Sequence, residues 1–365
     1  MRGNRLALPL LDVSRAPAGD ARKRPALNSE QKHLTSPWQM TTRRAPVTNT
    51  NTVSAGVNSV RSTGVLRLIA RVAPWIAIAG LGAACVRTIE IPFPRSEGKA
   101  QWHLTAILYR PEGPGPYPLA VINHGSAFTV EDRRRPTQAF VEQSRWFVDR
   151  GFVVVVPSRR GYGSSDGTYA EGYGRCEDAN YRLAGLETAR DIWAVIDFMS
   201  KQAFVDGSRV VVVGHSAGGF GSLALASLNP PGVVGVINFA GGRGSIGSDR
   251  VCAPEHLRAA FSELGRSSKI PSLWLYSTND GYFGPSLAHA WYEEYVAAGG
   301  RAQFVELPPT GVAAHQVFAD PESVELSPQG RDGHQLFADP GSLSLWTGAV
   351  GRFLSELGFA PRSGN

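Results

Sequence analysis

The chain changes character near residue 87. From there, short apolar runs alternate with segments of helical period. "RTIEIPFP" (87–94) and "QWHLTAILYRP" (101–111) alternate apolar and polar positions, the mark of antiparallel strands with one wet face. "PLAVINHG" (118–125) is a continuous apolar run, as expected for a strand covered on both faces. The same signature returns in "FVVVVP" (152–157), "RVVVVGHS" (209–216), "VVGVINFAGG" (233–242), "PSLWLYSTND" (271–280) and "AQFVELPP" (302–309). Between these runs the spacing predicts helices over 137–150, 184–200, 217–228, 255–264, 284–298 and 344–357. The clearest is 184–200, where Leu186, Ala189, Ile192, Val195, Ile196 and Met199 fall on one face. Strands alternating with helices predict an α/β fold. It has about eight strands in a mostly parallel sheet with helices on both faces. Only about 30 residues separate the strands at 233–239 and 271–276, which leaves no room there for a large lid. One domain over residues 87–360 is expected.

The N-terminal part differs. Residues 1–64 are rich in Arg, Pro, Thr, Asn and Ser without a sustained apolar period, so they form a disordered leader or precede the true start, which would lie at Met40 or later. Residues 65–85 read as a signal peptide or a hydrophobic anchor. Arg61, Arg67 and Arg71 give a positive flank to the apolar run "VAPWIAIAGLGAA", which small residues carry to Cys85. That end is similar to a bacterial lipobox, with Gly82 where leucine is usual, so Cys85 is a candidate for lipidation. The expectation is an exported protein, periplasmic or secreted, with candidate membrane attachment through the N-terminus. Charge agrees with this division. Residues 1–84 hold 12 Lys and Arg against 3 Asp and Glu, whereas residues 85–365 hold 25 against 28. The folded part is mildly acidic, which removes the main support for nucleic-acid binding.

The most informative stretch is "VVVVGHSAGGFGSLALA" (210–226). A buried strand runs into Gly214-His215-Ser216-Ala217-Gly218 and then a helix. This is G-x-S-x-G in a strand-to-helix turn, which presents Ser216 on a strained backbone above the sheet edge. The helix begins there, so its N–H groups face any developing negative charge, and Ala217 N–H can donate to an oxyanion. Asp280 closes another buried strand, where it can orient a histidine; the bland reading is a turn aspartate before Gly281.

These motifs, with "NHGS", "RRGYGSSDG", "YSTNDGYFGP" and "GRDGHQLF", resemble the α/β-hydrolase superfamily, and within it dienelactone-hydrolase-like and prolyl-oligopeptidase-like serine esterases, over about residues 100–358. The resemblance implies a triad in the order Ser216, Asp280, histidine. It also implies that the backbone N–H of Ser126 is the second oxyanion donor; the bland reading is that His124 and Gly125 merely shape the turn. Tyr162 and His215 are candidate substrate contacts, although Arg159, Arg160 and Tyr162 more often anchor such a loop, the preferred reading. No cofactor or metal is implied: the histidines are scattered, and no C-x-x-C or H-x-x-x-H occurs. Cys176 and Cys252 both follow C-terminal ends of predicted parallel strands, so a disulfide at the pocket rim is expected in an oxidising compartment; the alternative is two unrelated buried thiols.

Two histidines compete for the last place. "ELPPTGVAAHQVFADPESV" (306–324) and "ELSPQGRDGHQLFADPGSL" (325–343) match at 11 of 19 positions, a tandem duplication. His334 is preferred to His315. Gly333 offers a positive φ that could aim His334 inward, "DGH" is the form the related esterases show, and the second copy runs directly into the last helix. The expected activity is hydrolysis of small carboxylic esters through an acyl-enzyme (EC 3.1.1), with a small-molecule ester as the partner. The alternatives are a peptidase of the same fold, disfavoured because the N-terminus has no room for a propeller, and an exported non-catalytic binding protein.

Overall fold

The computed structural model describes residues 85–93, 102–127, 129–310 and 332–359. The expected leader, signal segment and His315 lie outside the described residues, as does the side chain of Cys85. Eight strands form one sheet in the order β1-β2-β4-β3-β5-β6-β9-β10. They are β1 (Cys85–Phe93), β2 (Trp102–Arg110), β3 (Tyr117–Asn123), β4 (Val153–Pro157), β5 (Val205–His215), β6 (Val233–Phe239), β9 (Ser272–Ser277) and β10 (Ala302–Leu307). β1 and β2 form an antiparallel ribbon, β2 joins β4 antiparallel, and every other pairing is parallel. A small antiparallel hairpin, β7 (Ser245–Gly247) with β8 (Arg250–Val251), stands apart from the sheet.

The apolar runs are continuous because the sheet is covered twice. Alternate residues of one strand serve opposite cores: Val210 and Val212 of β5 pack in one, Val211 and Val213 in the other. The first core lies under α3 (Tyr181–Met199), α4 (Ala217–Ser227), α5 (Pro254–Ser267) and α6 (Pro285–Ala297), with Ile192, Phe220, Phe261 and Trp291 fully buried. The second lies under α2 (Val141–Asp149) and α7 (Leu343–Glu356), with Phe147, Trp346 and Phe353. All six expected helices form. On α3 the buried face runs through Ala189, Ile192, Val195, Ile196 and Met199, while Leu186 sits at its margin, half-buried.

Two small elements escaped the pattern. α1 (Val130–Arg134) has no buried residue, and β7 has no fully buried one, so neither prints a period in the sequence. β5 also starts four residues before the apolar run. Val205 and Asp206 pair with Tyr117 and Pro118 at the start of β3, and a register shift carries the chain past residues 207–209 to Val210 opposite Leu119. Among the described residues, no helix is long and apolar enough to cross a membrane.

Candidate active site

β5 is central in the sheet, between β3 and β6, and its C-terminal end meets α4 at Ser216. Ser216 has φ 54° and ψ −122°, a conformation costly for a residue with a side chain. Close approach of backbone holds it there. A Cβ on Gly214 would fall 2.3 Å from the Gly218 carbonyl oxygen, and a Cβ on Gly218 would fall 2.5 Å from the carbonyl oxygens of Asn123 and His124. The elbow is therefore pressed against the loop that leaves β3. Gly125 of that loop lies over Ser216, with room for a Cβ only 3.2 Å from the serine Cβ. Ala217 is the first residue of α4, so its N–H has no acceptor within the helix.

Asp280 and His334 meet although 54 residues separate them. His334 Nδ1 lies 3.1 and 3.0 Å from the two Asp280 carboxylate oxygens. Asp280 Oδ1 also accepts the N–H groups of Tyr282 (2.8 Å) and Phe283 (2.9 Å), which fixes the carboxylate plane. Both residues are buried. Burial opposes a charge on His334, but the Asp280 carboxylate outweighs it and raises the histidine pKa above its ordinary value. His334 and Ser216 line the same cavity. The Ser216 hydroxyl makes no hydrogen bond among the described residues.

His215 is buried and donates from Nε2 to the His334 carbonyl at 2.7 Å. Burial first, then the nearby His334 charge, lower its pKa to about 3, so its ring stays neutral. Tyr162 is buried with its ring edge-on to His124 at 4.6 Å. Both His215 and Tyr162 line the cavity, as do Ser216, Ser126 and His334. The cavity holds about 650 Å³, the size of a small-molecule site, and its walls add Tyr169, Tyr173, Tyr282, Phe283, Arg133 and Arg243.

The loop carrying Ser126 is anchored from behind. Arg159 donates to the carbonyls of His124 (2.7 Å) and Gly125 (3.3 Å) and pairs with Glu171 at 3.0 and 3.1 Å. Arg243 reaches the same carboxylate at 3.0 Å, and Thr188 donates its hydroxyl to it. Burial favours the neutral Glu171, but the two guanidinium groups prevail and hold its carboxyl well below the usual range. Arg160 is bound to Asp191 and Glu187. The two arginines are thus loop anchors, as their residue type favours. Glu171 and Arg243 were not singled out in the sequence: their partners are 12 and 72 residues away, and nothing local marks them.

One expectation about the loop is corrected. Gly333 does not adopt positive φ. It is needed for space: a Cβ there would fall 2.4 Å from Asn279 Oδ1 and 2.7 Å from the Ser277 Cβ and Oγ. Cys176 and Cys252 form a disulfide with Cα atoms 5.1 Å apart. It joins the connection between β4 and α3 to the residue after β8, and Tyr173, Gly174, Gly244 and Ser245 beside it line the cavity. Among the described residues no group of three or more His, Cys, Asp or Glu side chains is placed to hold a metal ion.

Eight strands in this order, with helices on both faces of the sheet, match a known architecture. An acylaminoacyl peptidase of Pyrococcus horikoshii superposes with a TM-score of 0.50 at 15% identity, over 77% of this chain and 43% of that one. The chain is an α/β-hydrolase by fold. Residues 101–248 match the family model described as X-Pro dipeptidyl-peptidase (S15 family). Other similar structures are a dienelactone hydrolase, so described provisionally, of Klebsiella pneumoniae (TM-score 0.46, 14% identity, 75% of this chain and 99% of that one) and an esterase of Pyrococcus furiosus (0.46, 13%, 75% and 90%).

Proposed function

We propose that the protein is a serine hydrolase of small carboxylic esters. The observation that carries this reading is the shared cavity. Ser216, on its strained turn, and His334, bonded to Asp280, line the same 650 Å³ space. In the proposed reaction Ser216 Oγ attacks the ester carbonyl while His334 Nε2 takes the hydroxyl proton. Asp280 keeps the Nδ1 proton in place and stabilises the imidazolium. The oxyanion faces the backbone N–H groups of Ser126 and Ala217, each worth about 2.7–4 kcal/mol of transition-state stabilisation. The proton then passes from His334 to the departing alcohol, leaving an acyl-Ser216. Water enters, gives its proton to His334 and releases the acid.

A peptidase is the second reading, favoured by the match to the X-Pro dipeptidyl-peptidase model over residues 101–248. The cavity's charges argue for the ester. Its lining holds Arg133, Arg135 and Arg243 against Asp132; Arg135 is paired with Asp132 at 3.2 Å and Arg243 with the buried Glu171 at 3.0 Å, so Arg133 is the charge left facing the cavity among the described residues. Such a wall repels the free ammonium of a peptide N-terminus. The disulfide supports the expectation of an oxidising compartment and hence of export.

The test is labelling by a fluorophosphonate, followed by turnover of p-nitrophenyl esters of rising chain length and of X-Pro p-nitroanilides. Wild type should label, Ser216→Ala should not, and esters should be the better substrates. A wild-type protein that does not label ends the serine-hydrolase reading; faster turnover of the anilides replaces the esterase by the peptidase.

A further inference from the structure

Asp332 has no part in the reaction as just described, yet it is buried beside the reacting groups. Its Oδ1 accepts two backbone N–H groups: that of His334 at 2.8 Å and that of Gly281 at 2.9 Å. Gly281 directly follows Asp280. One oxygen atom therefore ties the backbone of the proposed base to the backbone of the proposed acid. The tie runs alongside the side-chain bond from His334 to Asp280. Between them, Gly333 donates its N–H to the Asn279 carbonyl at 3.0 Å. Residues 332–334 and 279–281 are thus joined at three successive points, and Gly333 fits only because it lacks a Cβ.

The repeat gives this arrangement a control within the same chain. The second copy reads Asp332-Gly333-His334, and the first reads Ala313-Ala314-His315. Seated at the same place, the first copy would bring no carboxylate to join the two N–H groups. It would also bring a methyl group to a position where a Cβ meets Asn279 Oδ1 at 2.4 Å. Two features needed at the site are both missing from the copy that shares the histidine.

We propose that Asp332 is a positioning residue for His334, and that the Asp332-Gly333 pair determines which repeated histidine serves the site. The proposal rests on the serine-hydrolase reading above. Its physical content is twofold. The shared oxygen sets the distance between the histidine and aspartate loops, so that Nδ1 meets Asp280 without a search over loop conformations. The Asp332 charge also adds to that of Asp280 in favouring the imidazolium. The other titratable groups facing the ring are Tyr282, at 4.5 Å between ring centroids, and His215, at 5.1 Å, with the apolar Phe283 edge-on at 5.3 Å. Tyr282 is held in its neutral phenol form by burial, and His215 is neutral, so the two carboxylates are the charges that matter.

The experiment uses the full chain with its disulfide intact. Labelling rate, kcat, KM and melting temperature are measured for wild type, Asp332→Ala, Asp332→Asn, His315→Ala, His334→Ala and His334→Ala with His315→Ala. Asp332→Ala should lower kcat by about 10–100-fold with KM little changed, as expected for a misplaced base. Asp332→Asn keeps an oxygen able to accept both N–H groups, so it should recover most of kcat. Having lost the charge, it should move the acid limb of the kcat/KM profile to lower pH. A purely structural role would lower melting temperature and active fraction without moving that limb. His315→Ala should behave as wild type, and His334→Ala should retain no turnover for the double variant to remove. Wild-type kcat in both Asp332 variants overturns the positioning role. Turnover in His334→Ala that disappears with His315→Ala overturns the selection between copies. If wild type itself fails to label, it is the serine-hydrolase reading that has failed.

Discussion

Replacing Glu171 by alanine removes the single carboxylate that two buried guanidinium groups share. Arg159 and Arg243 are 1% and 3% exposed, so water cannot stand in for the lost charge. Breaking a buried pair by removing one partner typically costs about 3–5 kcal/mol, and here two cations are left unpaired. Against a domain stability of about 5–15 kcal/mol this is a large fraction. At about 2–4 °C per kcal/mol for a domain approaching this size, the melting temperature should fall by roughly 6–20 °C. The folded-state pKa of Glu171 is depressed, so its stabilisation is complete above the ordinary value of 4.5 and is lost as pH falls towards the folded-state value. The gap between wild type and Glu171→Ala should therefore be constant near neutrality and narrow below pH 4.5. Thermal unfolding followed by circular dichroism across that range is the assay, with Glu171→Gln expected in between. A loss of less than about 2 °C at neutral pH would mean that the buried cations are satisfied in some other way, and the reasoning would fail. Below its melting temperature the variant should also lose turnover, because Arg159 holds the carbonyls of His124 and Gly125 that set the Ser126 N–H.

Three further outcomes follow from the site. Gly218→Ala should cut kcat by about 10²–10³-fold, because the new methyl displaces the elbow from the loop that bears Ser126, the second oxyanion donor of the proposed mechanism; unchanged turnover would refute the contact at 2.5 Å. The acid limb of the kcat/KM profile should lie above 6.5, the ordinary histidine value, because the Asp280 charge outweighs burial at His334 and the base works only when deprotonated; a limb below 6.5 would refute this. Cys252→Ser should cost about 2–4 kcal/mol of stability, read as a lower denaturant midpoint, since the bond closes a loop with a sequence separation of 76; an unchanged midpoint would show that the bond constrains nothing.

Much of this was legible in the sequence because its causes are local. The central strands carry continuous apolar runs because two cores cover them, and runs such as Val210–Val213 say so directly. The elbow could be read because the glycines that permit Ser216 flank it within two residues. What stayed hidden acts over distance or leaves no period. Nothing near Glu171 announces Arg243, and nothing in Ser245–Gly247 announces a strand. Gly333 was noticed for the wrong reason, backbone freedom, when its neighbours Ser277 and Asn279 leave no space for a side chain. Asp332 did have a signal: Asp332-Gly333 stands before one repeated histidine where Ala313-Ala314 stands before the other.

The Cys176–Cys252 bond has a topological consequence. It turns α3, β5, α4, β6 and the β7–β8 hairpin into a closed covalent circuit, with Ser216 riding inside it and Asp280 and His334 on open chain. A single peptide-bond break between Cys176 and Cys252 leaves every part of the chain attached to every other. The same break between Cys252 and Asp280 severs Ser216 from Asp280 and His334, its partners in the proposed triad. The molecule is thus guarded unequally against nicking, and the guarded portion is the one that carries the serine.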